Sequence, residues 1–304
     1  MTKEQALSGP DILCVIVHFG NPQDTLECLE SLRQEMPMTI AVVDNDPTQS
    51  FIVPQHDSLP IEIHRTGGSM GFAEANNFGV ARARGLGHKY VLLLNNDTVV
   101  KPGAIQVLKT TLAGEKVGIV GPAMPYFDSP DTLWASGGKI SKALVTIDGI
   151  RTPHQTRIAP VDYLPGAALM TRLDLWDGIG GLPERYFLAF EEAQYALEVS
   201  KRGYKVLVNT EALVLHKVGM SSDRQPMYYY NTVRNRIRFG HYLYGKIVGG
   251  LLGALSGLVR SYTPNRLSLW LKAVSDEVSG KPLDADSLRT VAESYRSKKN
   301  YDDL

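Results

Sequence analysis

Four groups of side chains in this sequence are of types that could do chemistry. Two acidic clusters, Asp44-Asn45-Asp46 and Asn95-Asn96-Asp97, each follow a short apolar run. Glu191-Glu192 stands where a helical pattern begins, and adjacent carboxylates are the usual equipment for moving protons. His216 directly follows another apolar run, and Arg234, Arg236 and Arg238 recur within one helical pattern, where guanidinium groups could pair with phosphate. Taken singly, each group has an ordinary structural reading. Asn and Asp at strand ends make turns. Acids at a helix start suit the helix dipole. A lone histidine at a strand end is commonly a hydrogen-bonded structural residue, and arginines on a helix face are commonly solvated.

The elements that must position these groups alternate. Ile12 to Val17, Ile40 to Val43, Ile61 to His64, Tyr90 to Leu94 and Val117 to Val120 read as strands, several of them continuously apolar as expected for strands covered on both faces. Helical patterns at Asp24 to Glu35 and Gly71 to Arg84, and one opening with Pro102 at its first position, lie between them. Strands alternating with helices predict an α/β fold with a mostly parallel central sheet and helices on both faces. Such sheets bind ligands outside the carboxyl ends of their strands, which is where Asp44 and Asp97 fall. Asp128 to Val161, rich in Gly, Pro, Ser and Thr, reads as strands and loops over the sheet. Phe190 to Arg202 is a helix ended by Gly203; Lys205 to Val208 and Ala212 to Leu215 are two strands; Met227 to Leu243 is helical.

The order of the motifs narrows the chemistry. Val43-Asp44-Asn45, Gly71-Phe72-Ala73 with Asn76-Asn77, Leu92-Leu93-Leu94-Asn95-Asn96-Asp97, Pro165-Gly166-Ala167, Gly180-Gly181-Leu182-Pro183-Glu184-Arg185 and Phe190-Glu191-Glu192 resemble, in that order, the family-2 glycosyltransferases. The rhamnosyltransferase-like and galactofuranosyltransferase-like branches look nearest, and the resemblance covers residues 11 to 245. It implies a GT-A fold and an inverting, metal-dependent transfer of a sugar from a nucleotide-sugar donor, a UDP- or dTDP-sugar, to a hydroxyl of a glycan or lipid-linked acceptor, in the synthesis of cell-surface polysaccharide. By the same resemblance Asp97 binds Mn2+ or Mg2+ with His216 completing the site, and Glu192 is the catalytic base with Glu191 in support. Asp44, Asn45, Gly71, Asn76, Asn95, Asn96, Arg234 and Arg236 then contact the nucleotide and donor. The glycine-rich entry to Gly71 fits either a phosphate cradle or a tight turn. Two rivals remain: a glycoside hydrolase, which also uses two carboxylates, and a nucleotide-sugar-binding scaffold without turnover, suggested by Glu192 and Gln194.

Composition sets the outer bounds. The chain has 304 residues, 43% hydrophobic and 21% charged, with 32 basic and 32 acidic residues, so bulk charge gives no reason to expect a nucleic-acid partner. Cys14 and Cys28 lack metal-ligand spacing and read as core residues in a reducing compartment. Residues 1–10 are expected to be a disordered N-terminus without a secretory signal, residues 11–245 the GT-A domain, and residues 246–304 a basic and apolar helical extension. No acid occurs from Arg224 to Ser275, while Ile247 to Val259 is apolar but shorter than the roughly 20 residues needed to span a bilayer. That extension fits packing on the core or peripheral contact with an anionic membrane surface. The expected location is cytoplasmic, with the inner face of the membrane as the second option.

Overall fold

A computed structural model describes residues 10–48, 50–53, 59–85, 87–218, 226–259 and 264–296. The expected disordered N-terminus lies outside the described residues except for Pro10, and so do Arg224 and Arg260 of the basic tail. The first half runs β1 (Ile12–His18), α1 (Pro22–Ser31), β2 (Thr39–Asp44), β3 (Ile61–Arg65), α2 (Phe72–Ala83), β4 (Tyr90–Asn95), β5 (Thr98–Val100), α3 (Ala104–Leu112) and β6 (Val117–Pro125). The second half runs β7 (Leu133–Ala135), β8 (Gly138–Ser141), β9 (Thr146–Gly149), β10 (Ile158–Pro160), β11 (Ala168–Arg172), α4 (Leu173–Ile179), α5 (Glu191–Lys201), β12 (Lys205–His216), α6 (Pro226–Tyr244), α7 (Lys246–Leu258), α8 (Pro264–Val278) and α9 (Ala285–Arg296).

Among the described residues ten strands form one sheet, ordered β10-β12-β6-β11-β4-β1-β2-β3, with β5 added to β12 and β7 to β6. The run β4-β1-β2-β3 is parallel, as is β6 with β12, while β11 lies antiparallel to both of its neighbours. The expected α/β fold with a mostly parallel sheet and helices around it is the observed one. The alternation of side chains explains why the strand sequences are continuously apolar. In β1, Ile12, Cys14 and Ile16 pack into one core with Leu29 and Leu108. Leu13 and Val15 enter a second core on the other face with Val80, Tyr195 and Val199. Both faces being dry, neither can be polar. Cys14 and Cys28 are buried free thiols, as expected, and burial holds the thiol pKa of each above its ordinary value.

Three local differences from the sequence reading have physical causes. Pro102 does not open α3; Gly103, left-handed at φ 82°, is its N-cap. There the carboxylate of Glu35 accepts from the N–H groups of Gly103 and Ile105, so an acid distant in sequence satisfies the helix start. The two strands expected at Lys205–Val208 and Ala212–Leu215 are one, β12, with an irregularity between Asn209 and Leu213. Beyond it the strand also pairs with β5 and carries His216 alongside Thr98. The glycine-rich stretch at Ile247–Val259 is helical because its glycines are useful. A Cβ on Gly249 or Gly253 would run into the α6 backbone at Gly240 or Arg236, so their absence lets α7 pack closely on α6. Among the described residues no helix is long and apolar enough to cross a membrane.

Candidate active site

A cleft of about 420 Å³ opens at the carboxyl end of β4. Asn95, Asp97, His216, Glu191 and Glu192 line it, together with Trp134, Asp148, Arg151, Tyr163 and Tyr228. Asp97 lies in the turn between β4 and β5, and the antiparallel register of β5 with β12 sets His216 opposite Thr98. His216 Nε2 is consequently 3.2 Å from Asp97 Oδ1. The Lys217 N–H donates to the Asp97 carbonyl, and Lys217 Nζ is tied to Asp24 and Glu27 on α1, which fixes the end of β12. Trp134 sets its ring edge-on to His216 at 4.2 Å, and His216 Nδ1 is buried without a protein partner.

This pair fits a hard divalent cation. Two ligands at about 2.1 Å from one octahedral ion, at right angles, lie about 3 Å apart. Among the described residues no cluster of three His, Cys, Asp or Glu side chains could hold a metal. Ions such as Mg2+ commonly take one or two protein ligands and complete their shell with phosphate oxygens and water.

The carboxylate pair stands across the same cleft. Ala189 and Phe190, at φ 68° and 81°, form a left-handed turn into α5. Such a conformation costs a non-glycine residue about 1–3 kcal/mol. Glu191 is buried; its Oε1 accepts from the Ala189 N–H, and its Oε2 has no partner. Burial first, and then the adjacent Glu192, push its carboxyl well above the usual carboxylate range. Glu192 is partly buried, with Oε2 shut off from solvent. Burial pushes its carboxyl up to about 7, held back by backbone N–H groups of Glu192, Gly166 and Phe190. A carboxylate with that affinity can take a proton at neutral pH and hold it.

The other expected contacts divide. Asp44 is buried at the end of β2; its Oδ2 accepts from the Phe51 N–H and faces Arg65, while Oδ1 has no partner. His18, its register partner on β1, is likewise buried with Nε2 unsatisfied. Its ring packs tilted against that of Phe51, and burial lowers its pKa, which favours the neutral ring. Asn45 spends its whole amide on Thr66 and Met70. Asn96 donates to the Phe19 carbonyl and to Thr25, and Asn76 to the Phe72 carbonyl within α2. The described contacts of these three asparagines therefore fasten loops and helix rather than point into the cleft.

Gly71, at φ −65°, makes no left-handed turn; what its missing side chain allows is a close approach to Phe187. A Cβ there would come within 2.9 Å of the Phe187 carbonyl oxygen, and the Phe72 N–H at the start of α2 already donates to that oxygen. Arg234 and Arg236 are also not brought to the cleft. Arg234 is fully buried, pairs through Nε with Glu277 on α8, and donates to the carbonyls of Lys281 and Pro282. Arg236 is buried on α6 away from the cleft lining. The sequence reading missed His18, which stands at a strand end as Asp44 does. It also missed Trp134, Asp148 and Arg151, which come from the weakly patterned stretch after β6.

The chain is similar to known proteins in sequence and in fold. Over 245 residues the chain is 24% identical to an N-acetylglucosaminyl-diphospho-decaprenol L-rhamnosyltransferase of Mycobacterium tuberculosis, covering 71% of this chain and 79% of that protein. It is 23% identical over 261 residues to the low-salt glycan biosynthesis hexosyltransferase Agl10 of Haloferax volcanii, covering 81% and 80%. In fold it matches the mannosyltransferase PcManGT from Pyrobaculum calidifontis, solved with GDP-Man and Mn2+, at a TM-score of 0.57 and 14% identity over 97% of this chain and 83% of that one. Staphylococcus aureus TarS 1-349 with UDP-GlcNAc matches at 0.54 and 14% identity, covering 96% and 93%. These are GT-A folds. The model of glycosyltransferase like family 2 matches residues 8–240, the span that holds the whole sheet, the Asp97–His216 pair and Glu191-Glu192, and the chain belongs to that family.

Proposed function

We propose that this glycosyltransferase moves a sugar with inversion from a nucleoside-diphosphate donor to a hydroxyl of a glycan or lipid-linked acceptor, with Mn2+ or Mg2+ at Asp97 and His216. One observation carries the reading: a cation-fitting pair and a carboxylate with raised proton affinity line a single cleft. When bound, the cation neutralises charge that builds on the departing diphosphate. Glu192 takes the acceptor O–H proton as that oxygen bonds to the anomeric carbon, and the carbon–oxygen bond to the diphosphate breaks with its electron pair on the leaving group. Burial favours the neutral form of Glu191, which spares Glu192 a second adjacent charge. Asp44 Oδ1 suits an N–H of the nucleobase, as a uracil or thymine imide would offer. The acceptor class draws support from the mycobacterial relative, whose name specifies a diphospho-decaprenol-linked acceptor.

The proposal extends to peripheral contact with an anionic lipid surface through α7. Opposite its glycine face, Ile247, Leu251 and Leu255 are 80%, 62% and 55% exposed. Neither α7 nor the sequence around it carries an acid, and Lys246 starts the helix. A lipid-linked acceptor would be met at that surface.

The test is a panel of UDP-, dTDP- and GDP-sugars with Mn2+ or Mg2+, read as acceptor-dependent release of nucleoside diphosphate and as the anomeric configuration of the product. Release with an inverted product supports the reading. Donor binding without transfer to any glycan or lipid-linked acceptor contradicts it in favour of the scaffold.

A further inference from the structure

The left-handed turn before the carboxylate pair is held from outside the cleft, by α6. Asn231 Nδ2 donates to the Leu188 carbonyl at 2.6 Å; Asn235 Nδ2 donates to the same carbonyl at 2.7 Å and to that of Ala189 at 3.0 Å. The two asparagines are four residues apart, so they stand one above the other on one helix face, and both are at most 1% exposed. Phe190 is pinned between the rings of Tyr186 and Phe239. The helix itself is anchored by a second pair of the same spacing, Arg234 and Arg238, which both bind Glu277 on α8. Neither asparagine lines the cleft.

We propose that Asn231 and Asn235 are positioning residues that hold the Leu188–Phe190 turn left-handed and thereby aim Glu192 at the acceptor hydroxyl. This rests on the reading of Glu192 as the base. The carbonyls they clamp, those of Leu188 and Ala189, share their peptide units with the N–H groups that serve the carboxylates: the Ala189 N–H donates to Glu191, and the Phe190 N–H is near enough to Glu192 to stabilise its charge. Ala189 and Phe190 carry a Cβ and resist positive φ, so without the amide clamp the turn relaxes and both donors move away. The charged and titratable groups near Glu192 are Glu191 beside it, Tyr163, Tyr228 on α6 itself, and across the cleft Asp97, Asp148, Arg151 and His216. None of them is altered by the asparagine substitutions. The Phe190 N–H favours the charged form of Glu192, so its loss moves the acidic limb of the pH–rate profile to higher pH.

Steady-state transfer with the best nucleotide sugar tests this on Asn235→Ala, Asn231→Ala and Glu192→Gln in parallel. Asn235→Ala is expected to lower kcat by about a hundredfold, as a small misplacement of a reacting group can. Donor KM stays within about threefold, since ground-state binding is untouched, and the acidic limb moves upward. Ala189→Gly in the Asn235→Ala background recovers part of kcat, because glycine takes positive φ without cost. Should Asn235→Ala fail to fold, Asn231→Ala decides, since Leu188 keeps the Asn235 amide. Wild-type kcat and an unmoved limb, or kcat and donor KM worsening together, overturn the proposal while Glu192→Gln is inactive. An active Glu192→Gln overturns the base reading itself.

Discussion

His216 Nε2 lies 3.2 Å from Asp97 Oδ1, although 119 residues separate the two in sequence. The β5–β12 register makes that meeting, and it leaves an imidazole and a carboxylate spaced as neighbouring ligands of one ion. Asp97→Ala is expected to abolish the Mn2+-dependent part of the thermal shift produced by a nucleoside diphosphate. His216→Ala weakens Mn2+ by about tenfold or more, since loss of one ligand of few costs at least about 1.4 kcal/mol. A full Mn2+-dependent shift in Asp97→Ala would remove the cation from this site.

Arg234 is structural in this fold. It is fully buried, and its partners are Glu277, the Tyr230 hydroxyl and two backbone carbonyls. Removing one partner of a buried pair costs about 3–5 kcal/mol. Arg234→Ala is therefore expected to lose that much in chemical denaturation, while the folded fraction keeps the wild-type donor KM. A large rise in donor KM at unchanged stability would return Arg234 to the diphosphate.

Glu191 predicts a pH dependence of stability. Burial raises its carboxyl pKa above the ordinary 4.5, so the folded state holds the proton more tightly than the unfolded chain. The stability gained is complete below the ordinary value and is lost as pH rises through the raised one. Glu191→Gln does not titrate and still offers an oxygen to the Ala189 N–H. Its Tm relative to wild type should therefore climb as pH rises from the ordinary 4.5 upward through neutrality. A constant difference across that range would contradict the burial argument.

The outer face of α7 carries the membrane prediction. Leu251→Glu with Leu255→Glu replaces two largely exposed apolar side chains that belong to none of the buried clusters among the described residues. Burying each in lipid is worth about 1.5–3 kcal/mol. Binding to vesicles containing anionic lipid is expected to fall by about a hundredfold with Tm unchanged. Equal binding by the variant would exclude this face. Absence of binding by wild type, with a dimer in sedimentation that the substitutions dissolve, would assign the face to a second copy.

The sheet was legible because its strands are buried on both faces, and a continuously apolar run such as Ile12 to Val17 has few other fates. The carboxyl-end rule then located Asp44 and Asp97. Long-range geometry was not legible. Nothing local in Arg234 says that its guanidinium turns toward Glu277 and away from the cleft, because that choice depends on where α8 packs. Trp134, Asp148 and Arg151 reach the cleft from short strands with no strong period. The Asn231–Leu188 contact spans 43 residues and follows only from the docking of α6.

The central claim is that Glu192 takes the acceptor proton within the cleft that holds Asp97 and His216. The direct measurement is the pH dependence of kcat/KM for wild type and Glu192→Gln with a saturating acceptor. In wild type the rate is expected to rise with pH through an acidic limb near 7, as the carboxylate loses its proton. In Glu192→Gln that limb disappears and the rate falls by about 10²–10⁴, while donor binding persists. A Glu192→Gln variant that keeps both the rate and the limb would contradict the account.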